Sequence, residues 1–305
     1  MGKIAIVFSG QGAQYSGMGK ELFKCSEAAA RVFDMADTIR PGTSTQCFEG
    51  SKEELQRTEN TQPCIFCVGY AAAAALAEKG IIADCTAGFS MGEVTALAYG
   101  GYINEKEAMH YIIRRAFLMQ ESGEINPGVM FAVLGLDSLK VEELCSSLNY
   151  CYPVNYNGET QISVSCAAES AAPFQDAAVS AGGKVIKLAV SGGFHSPMMK
   201  EARSKIEMEF DGLAFTMGKI PVYSNVTAEP YRDKAQLFRQ MDSPVLWHPL
   251  IKNMNKDGAD TFIEAGPGKT LRNMIAKILP DVRILNVEDE KSLEYTLEVL
   301  KNVEQ

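Results

Sequence analysis

The sequence predicts an α/β chain: a mainly parallel sheet covered by helices on both faces, interrupted by a small antiparallel unit. Three observations predict it. Strand-like runs alternate with helix-like runs along most of the chain, the order of a parallel sheet with crossover helices. Gly88-Phe89-Ser90-Met91-Gly92 follows an apolar run and precedes a small-residue helix, the pattern of a nucleophile elbow. From Gly128 to Val190 the order changes to βαββαβ within ~65 residues, the order of a ferredoxin-like unit.

Lys3 to Phe8 is an apolar, β-branched run ending in Ser9-Gly10, and reads as a buried strand. A helix is expected over Gly19 to Asp37, then a looser region, Pro41 to Thr61, holding a polar helix at Lys52 to Glu59. Thr61-Gln62-Pro63 reads as a helix start, with the helix running through Cys64 to Lys79. Ile81, Ile82 and Ala83 read as the short strand before the elbow, and Glu93 to Tyr99 as the helix after it. Glu105 to Glu121 places Ala108, Met109, Ile112, Ile113, Ala116 and Met119 on one helical face.

The insert is expected after Asn126-Pro127-Gly128, over residues 128–191. Its strands are read at Met130 to Leu136, Cys151 to Tyr156, Gln161 to Cys166 and Lys184 to Val190. Its helices are Ser138 to Leu148 and Ala168 to Ala181, and Asn157-Gly158 reads as the hairpin turn. Residues 1–127 and 192–305 then form the larger domain. It resumes with a helix at Pro197 to Phe210 and a strand at Val222 to Val226. Helical pieces follow at Leu237 to Met241 and Pro249 to Met254, then a strand at Thr261 to Glu264 ending in Gly266-Pro267-Gly268. A helix at Leu271 to Leu279, a strand at Arg283 to Val287 and a helix at Ser292 to Asn302 complete it.

The 305 residues are 46% apolar and 22% charged, enough for a large core. Net charge is −9 with no basic block, which excludes nucleic acid as a partner. The longest uncharged apolar run, Cys64 to Ala77, falls short of the ~20 residues a membrane span needs. Lys3 is followed by only five apolar residues, too few for a secretory leader, so a cytoplasmic protein is expected. Eight cysteines are scattered, and only Cys64 and Cys67 have a suggestive spacing. Without a second pair or a nearby histidine they make no zinc site, and no metal or cofactor is expected.

An elbow needs glycine at both flanks, because the turn leaves no room for side chains. It presents the Ser90 hydroxyl above the sheet edge beside a backbone N–H able to bind an oxyanion. A serine nucleophile needs a base. His110 lies on the amphipathic helix and His248 at a helix entrance. His195 follows Ser191-Gly192-Gly193-Phe194, where the insert rejoins the main domain, with Ser196-Pro197 as N-cap and first helical residue. A loop at a domain junction is where sites concentrate. The Gly10-Gln11-Gly12 loop fails the dinucleotide fingerprint, since position 15 is Tyr15. Gly268-Lys269-Thr270 likewise lacks the first glycine of a phosphate loop.

Together these motifs resemble malonyl-CoA:acyl carrier protein transacylases and the acyltransferase domains of polyketide synthases, in the family's order over nearly the whole chain. The segments are Gly10-Gln11-Gly12-Ala13-Gln14, Gly88 to Glu93, Arg115 before Met119-Gln120 and Phe194-His195-Ser196. Asn225-Val226-Thr227, Pro244-Val245-Leu246-Trp247 and Glu264 to Gly268 complete them. The resemblance implies an α/β-hydrolase-like domain carrying the ferredoxin-like insert. It implies Ser90 as nucleophile, His195 as base, and the backbone N–H groups of Gln11 and Met91 as oxyanion hole. It implies Arg115 as carboxylate clamp, Gln240 as a substrate-binding residue near the histidine, and Phe194 as a ring disfavouring branched acyl groups. Malonyl-CoA and acyl carrier protein would be the partners.

The residue before the nucleophile is histidine in that family and Phe89 here. Two other readings follow from the same residues. A hydrolase acting on acylated carrier proteins would share Ser90 and His195 but have less use for Arg115. A non-catalytic docking module would follow if Phe89 disabled the site.

Overall fold

The computed structural model describes residues 2–190 and 192–303. Five strands form one sheet: β1 (Lys3–Phe8), β2 (Cys85–Gly88), β7 (Val222–Tyr223), β8 (Ala259–Ala265) and β9 (Arg283–Val287). Their order is β7-β2-β1-β8-β9 and every pairing is parallel. Four more strands, β3 (Gly128–Leu134), β4 (Cys151–Gly158), β5 (Gln161–Ala167) and β6 (Lys184–Lys187), form a second, antiparallel sheet ordered β4-β5-β3-β6. The chain leaves the first sheet before β3 and returns to it at β7. The expected insert boundary at Ser191 lies outside the described residues.

The parallel strands are buried on both faces. Ile6 and Phe8 face the helices Thr58–Glu78 and Gly92–Tyr99, while Ala5 and Val7 face Trp247, Leu250 and Leu271 on the other side. Period-2 alternation within β1 divides its apolar residues between two cores. Phe8 pairs with Gly88, so the chain after β1 and the chain after β2 leave the sheet side by side at its carboxyl edge. Crevices form at that edge in open α/β sheets.

Several boundaries differ from expectation, each for a visible reason. Ile81 to Ala83 are not a strand. Gly80 is left-handed at φ 85°, and Ile81 and Gly80 donate to the Leu76 and Ala77 carbonyls, a Schellman close of the preceding helix. The strand starts at Cys85, opposite Ala5. The helix expected to open at Thr61 opens at Thr58, with Pro63 inside it. The helix expected over Gly19 to Asp37 is two, divided where Ser26 caps Ala29. Asn157-Gly158 is not the hairpin turn: both lie in β4 at a register shift, and Glu159-Thr160 turn the chain. The pair serves a bulge, the other backbone irregularity such residues permit. The strand at Val222 stops at Tyr223, which frees Asn225 for the site.

Candidate active site

The turn after β2 fixes Ser90. A Cβ on Gly88 would collide with the Gly92 backbone, and one on Gly92 with the Phe8 carbonyl oxygen. Gly10 is needed as well, since a Cβ there would come 2.7 Å from the Phe89 carbonyl oxygen. Ser90 itself sits at φ 52°, a conformation that is strained for a residue with a side chain. Two amides clamp it. The Ser90 N–H donates to Asn225 Oδ1 at 2.8 Å, and the Ser90 carbonyl accepts from Gln240 Nε2 at 2.5 Å. Asn225 Nδ2 also donates to the Gly88 carbonyl at 2.7 Å, so one side chain spans the turn.

His195 meets Ser90 across the seam. Its Nε2 is 2.6 Å from Ser90 Oγ, and its Nδ1 is 2.9 Å from the Gln240 carbonyl oxygen. A carbonyl only accepts, so Nδ1 carries the proton and Nε2 is the bare nitrogen facing the hydroxyl. Burial and the nearby Arg115 guanidinium lower the His195 pKa to about 4, which keeps the ring neutral at pH 7. His195, at φ 61°, is also left-handed, and its N–H donates to the Met241 carbonyl.

Arg115 is 1% exposed, whereas its neighbour Arg114 is a surface residue paired with Glu209. Arg115 Nη1 donates to Gln62 Oε1 at 2.5 Å, and Nη2 to Gln240 Oε1 at 2.8 Å and to Ser90 Oγ at 3.3 Å. Burial lowers its pKa to about 10, still charged at neutral pH. A fixed cation within reach of Ser90 Oγ is suited to pair with a carboxylate.

The Gln11 and Met91 N–H groups donate to no protein acceptor among the described residues. They belong to the two chain segments that leave β1 and β2 together, where an oxyanion would lie. Gln240, expected near the histidine, lies against it. Its amide and carbonyl are occupied with Arg115, Ser90 and His195, so it positions all three. Phe194 is buried, and a Cβ on Gly192 would meet its ring at 2.7 Å. Phe89 packs edge-on against Trp247, ring centroids 5.5 Å apart, and brings no polar group.

Three partners went unassigned in the sequence. Gln62, read only as part of a helix start, holds the arginine. Asn225 stands in a sequence motif that by itself assigns it no role. Glu93, fully buried, accepts from the Asn225 N–H at 2.7 Å, and burial raises its pKa to about 7. The signal available for all three was polarity inside otherwise apolar helices or at strand ends. Glu264 serves the fold rather than the chemistry. It accepts from the Leu271 and Arg272 N–H groups and caps the following helix.

A profile described as the acyl transferase domain matches residues 5–294. The chain is 36% identical over 311 residues to the malonyl CoA-acyl carrier protein transacylase of Bacillus subtilis, covering 99% of this chain and 98% of that protein. It superposes on the crystal structure of the Clostridium perfringens malonyl CoA-acyl carrier protein transacylase with a TM-score of 0.95, at 36% identity over 99% of this chain and 98% of that one. A malonyl-transacylase in complex with a type II polyketide synthase acyl-carrier protein matches with a TM-score of 0.93, at 30% identity over 97% and 99% of the two chains. Elbow, histidine and buried arginine thus stand in a fold shared at full length with these enzymes, and the chain belongs to the acyl transferase domain family.

Proposed function

We infer that this protein is a malonyl-CoA:acyl carrier protein S-malonyltransferase of fatty acid or polyketide synthesis, working through a seryl ester. The observation that carries the reading is the 2.6 Å approach of His195 Nε2 to Ser90 Oγ with the Arg115 guanidinium 3.3 Å from the same oxygen. Nε2 takes the hydroxyl proton as Oγ attacks the thioester carbon of malonyl-CoA. The Gln11 and Met91 N–H groups receive the oxyanion, each such donor lowering the barrier by about 3–4 kcal/mol. The imidazolium then gives its proton to the departing CoA sulfur. In the second half, neutral His195 takes the proton of the carrier protein's pantetheine thiol, the sulfur attacks the ester, and Ser90 regains its proton. Protons balance without a metal or a cofactor. Arg115 pairs with the free malonyl carboxylate throughout and selects dicarboxylic acyl groups. The Phe194 ring narrows the acyl pocket against branched chains.

Leu188, Ala189 and Val190, at the end of the small antiparallel unit, line one hollow with Gln11 and Gly12. Among the described residues no helix is long and apolar enough to cross a membrane. The described thiols are all unpaired, which fits a reducing cytoplasm. The test is intact-protein mass spectrometry after mixing with malonyl-CoA. One malonyl group is expected on Ser90, discharged by added holo acyl carrier protein and absent in Ser90→Ala. Free malonate released without an adduct would instead make the protein a hydrolase, and no acyl transfer at all a docking module.

A further inference from the structure

Three of the eight cysteines meet in the small sheet, at a place the acyl chemistry does not use. Cys151 on β4 lies directly opposite Cys166 on β5. The Ala167 N–H donates to the Tyr150 carbonyl at 2.9 Å, so the neighbouring positions are the hydrogen-bonded pair. By the alternation of an antiparallel ladder, Cys151 and Cys166 form a non-hydrogen-bonded pair. Such pairs stand closest, with Cα atoms about 4.5 Å apart. That separation is within the range a disulfide spans. The two sulfurs are 3.0 Å apart, and Cys145 Sγ, on the helix Ser138–Ser146, is 3.7 Å from Cys151 Sγ. A hollow of about 660 Å³ is lined by Cys145 and Cys151 together with Asn149 and Tyr152, while Cys166 is fully buried and does not line it.

We propose that Cys151 and Cys166 are a dithiol redox site, with Cys151 reacting first with a low-molecular-weight disulfide that enters this hollow and Cys166 resolving the product. Cys151 sulfur displaces one thiolate from the incoming disulfide, which forms a mixed disulfide. Cys166 gives up its proton and attacks Cys151 Sγ, and the second thiolate leaves. The protein loses two electrons and two protons, and the incoming disulfide becomes two thiols. As a thiolate Cys151 accepts from the Cys145 and Cys166 S–H groups, which draw its pKa down against the opposing effect of burial. The thiols of Cys145 and Cys166 are pushed up in turn, by their bonds to Cys151 and by burial. Cys151 lines the hollow and touches both other thiols, which places it to react first.

The experiment incubates the full-length reduced protein with glutathione disulfide, alkylates the remaining thiols and maps peptides by mass spectrometry. A Cys151–Cys166 linked peptide is expected in the unmodified chain and in Cys145→Ser, more slowly in the latter. In Cys166→Ser a glutathione adduct should accumulate on Cys151, and in Cys151→Ser the small-sheet cysteines should stay free. The proposal is overturned if the unmodified chain yields no such link, or if Cys166 takes glutathione as readily without Cys151. Mapping the unmodified chain needs no variant, so it decides the matter even where a serine variant fails to fold.

Discussion

At the carboxyl edge of the parallel sheet the buried groups are Arg115, His195, Gln240 and Asn225, each with named polar partners. Beneath the antiparallel sheet they are Phe131, Val133, Val164 and Phe174, together with three thiols. The first region gives up apolar burial for a polar network, which is tolerable only when nearly every member is satisfied. The second gains stability from ordinary apolar packing. The two meet through β4, where Val245 N–H donates to Val154 and Val245 carbonyl accepts from Tyr156. Substitutions at the edge should therefore register in chemistry, and substitutions under the small sheet in stability.

Four measurements bear on that division. Replacing His195 with alanine removes the imidazole nitrogen that faces Ser90 Oγ, and kcat/KM for malonyl transfer should fall by about 10⁴-fold. A fall of less than about tenfold would mean another group takes the proton. Arg115→Ala removes a charged donor and leaves Gln62 and Gln240 without their shared partner. Malonyl transfer should drop by about 10²-fold while acetyl transfer drops less, read in a competition between malonyl-CoA and acetyl-CoA. Equal losses on both substrates would reduce the arginine to a structural role.

Phe174→Leu, under the small sheet, should lower unfolding free energy by about 1 kcal/mol and leave kcat/KM within about twofold at low temperature. A large kinetic loss with unchanged stability would erase the division between the two regions. The mildest effect is one of pH. A protonated His195 has no bare nitrogen to take the Ser90 proton, and burial lowers its pKa to about 4. The rate with free enzyme should therefore stay nearly level from about pH 8 to about pH 5.5 and fall only below that. An acid limb centred near the usual histidine value of about 6.5 would place the ring in contact with water.

Legibility followed the range of the interactions. Lys3–Phe8 is legible to the residue because an apolar β-branched run bounded by turn residues is a local signal, and the Ile284, Leu285 and Val287 of Arg283–Val287 give a weaker form of it. The elbow was legible because steric exclusion at Gly88 and Gly92 operates over five residues. Ile81 and Ile82 misled because the same apolar residues also serve a Schellman close, and nothing local separates a strand from the end of a helix. Asn157-Gly158 misled because a bulge and a hairpin turn favour the same residues.

Local sequence was enough to set the βα order, the glycine-bracketed serine and the family motifs that ordered the site along the chain. Folding in three dimensions settled that Arg115 rather than Arg114 is interior, that Gln62 and Asn225 support the site, and that Cys145, Cys151 and Cys166 converge. The cause is separation along the chain: Arg115 and Gln62 are 53 residues apart, and Ser90 and Asn225 are 135. Turn sterics and helix periodicity act between near neighbours and are written into short windows. Burial and hydrogen-bond satisfaction depend on which distant segment arrives opposite, and no window of sequence contains both partners.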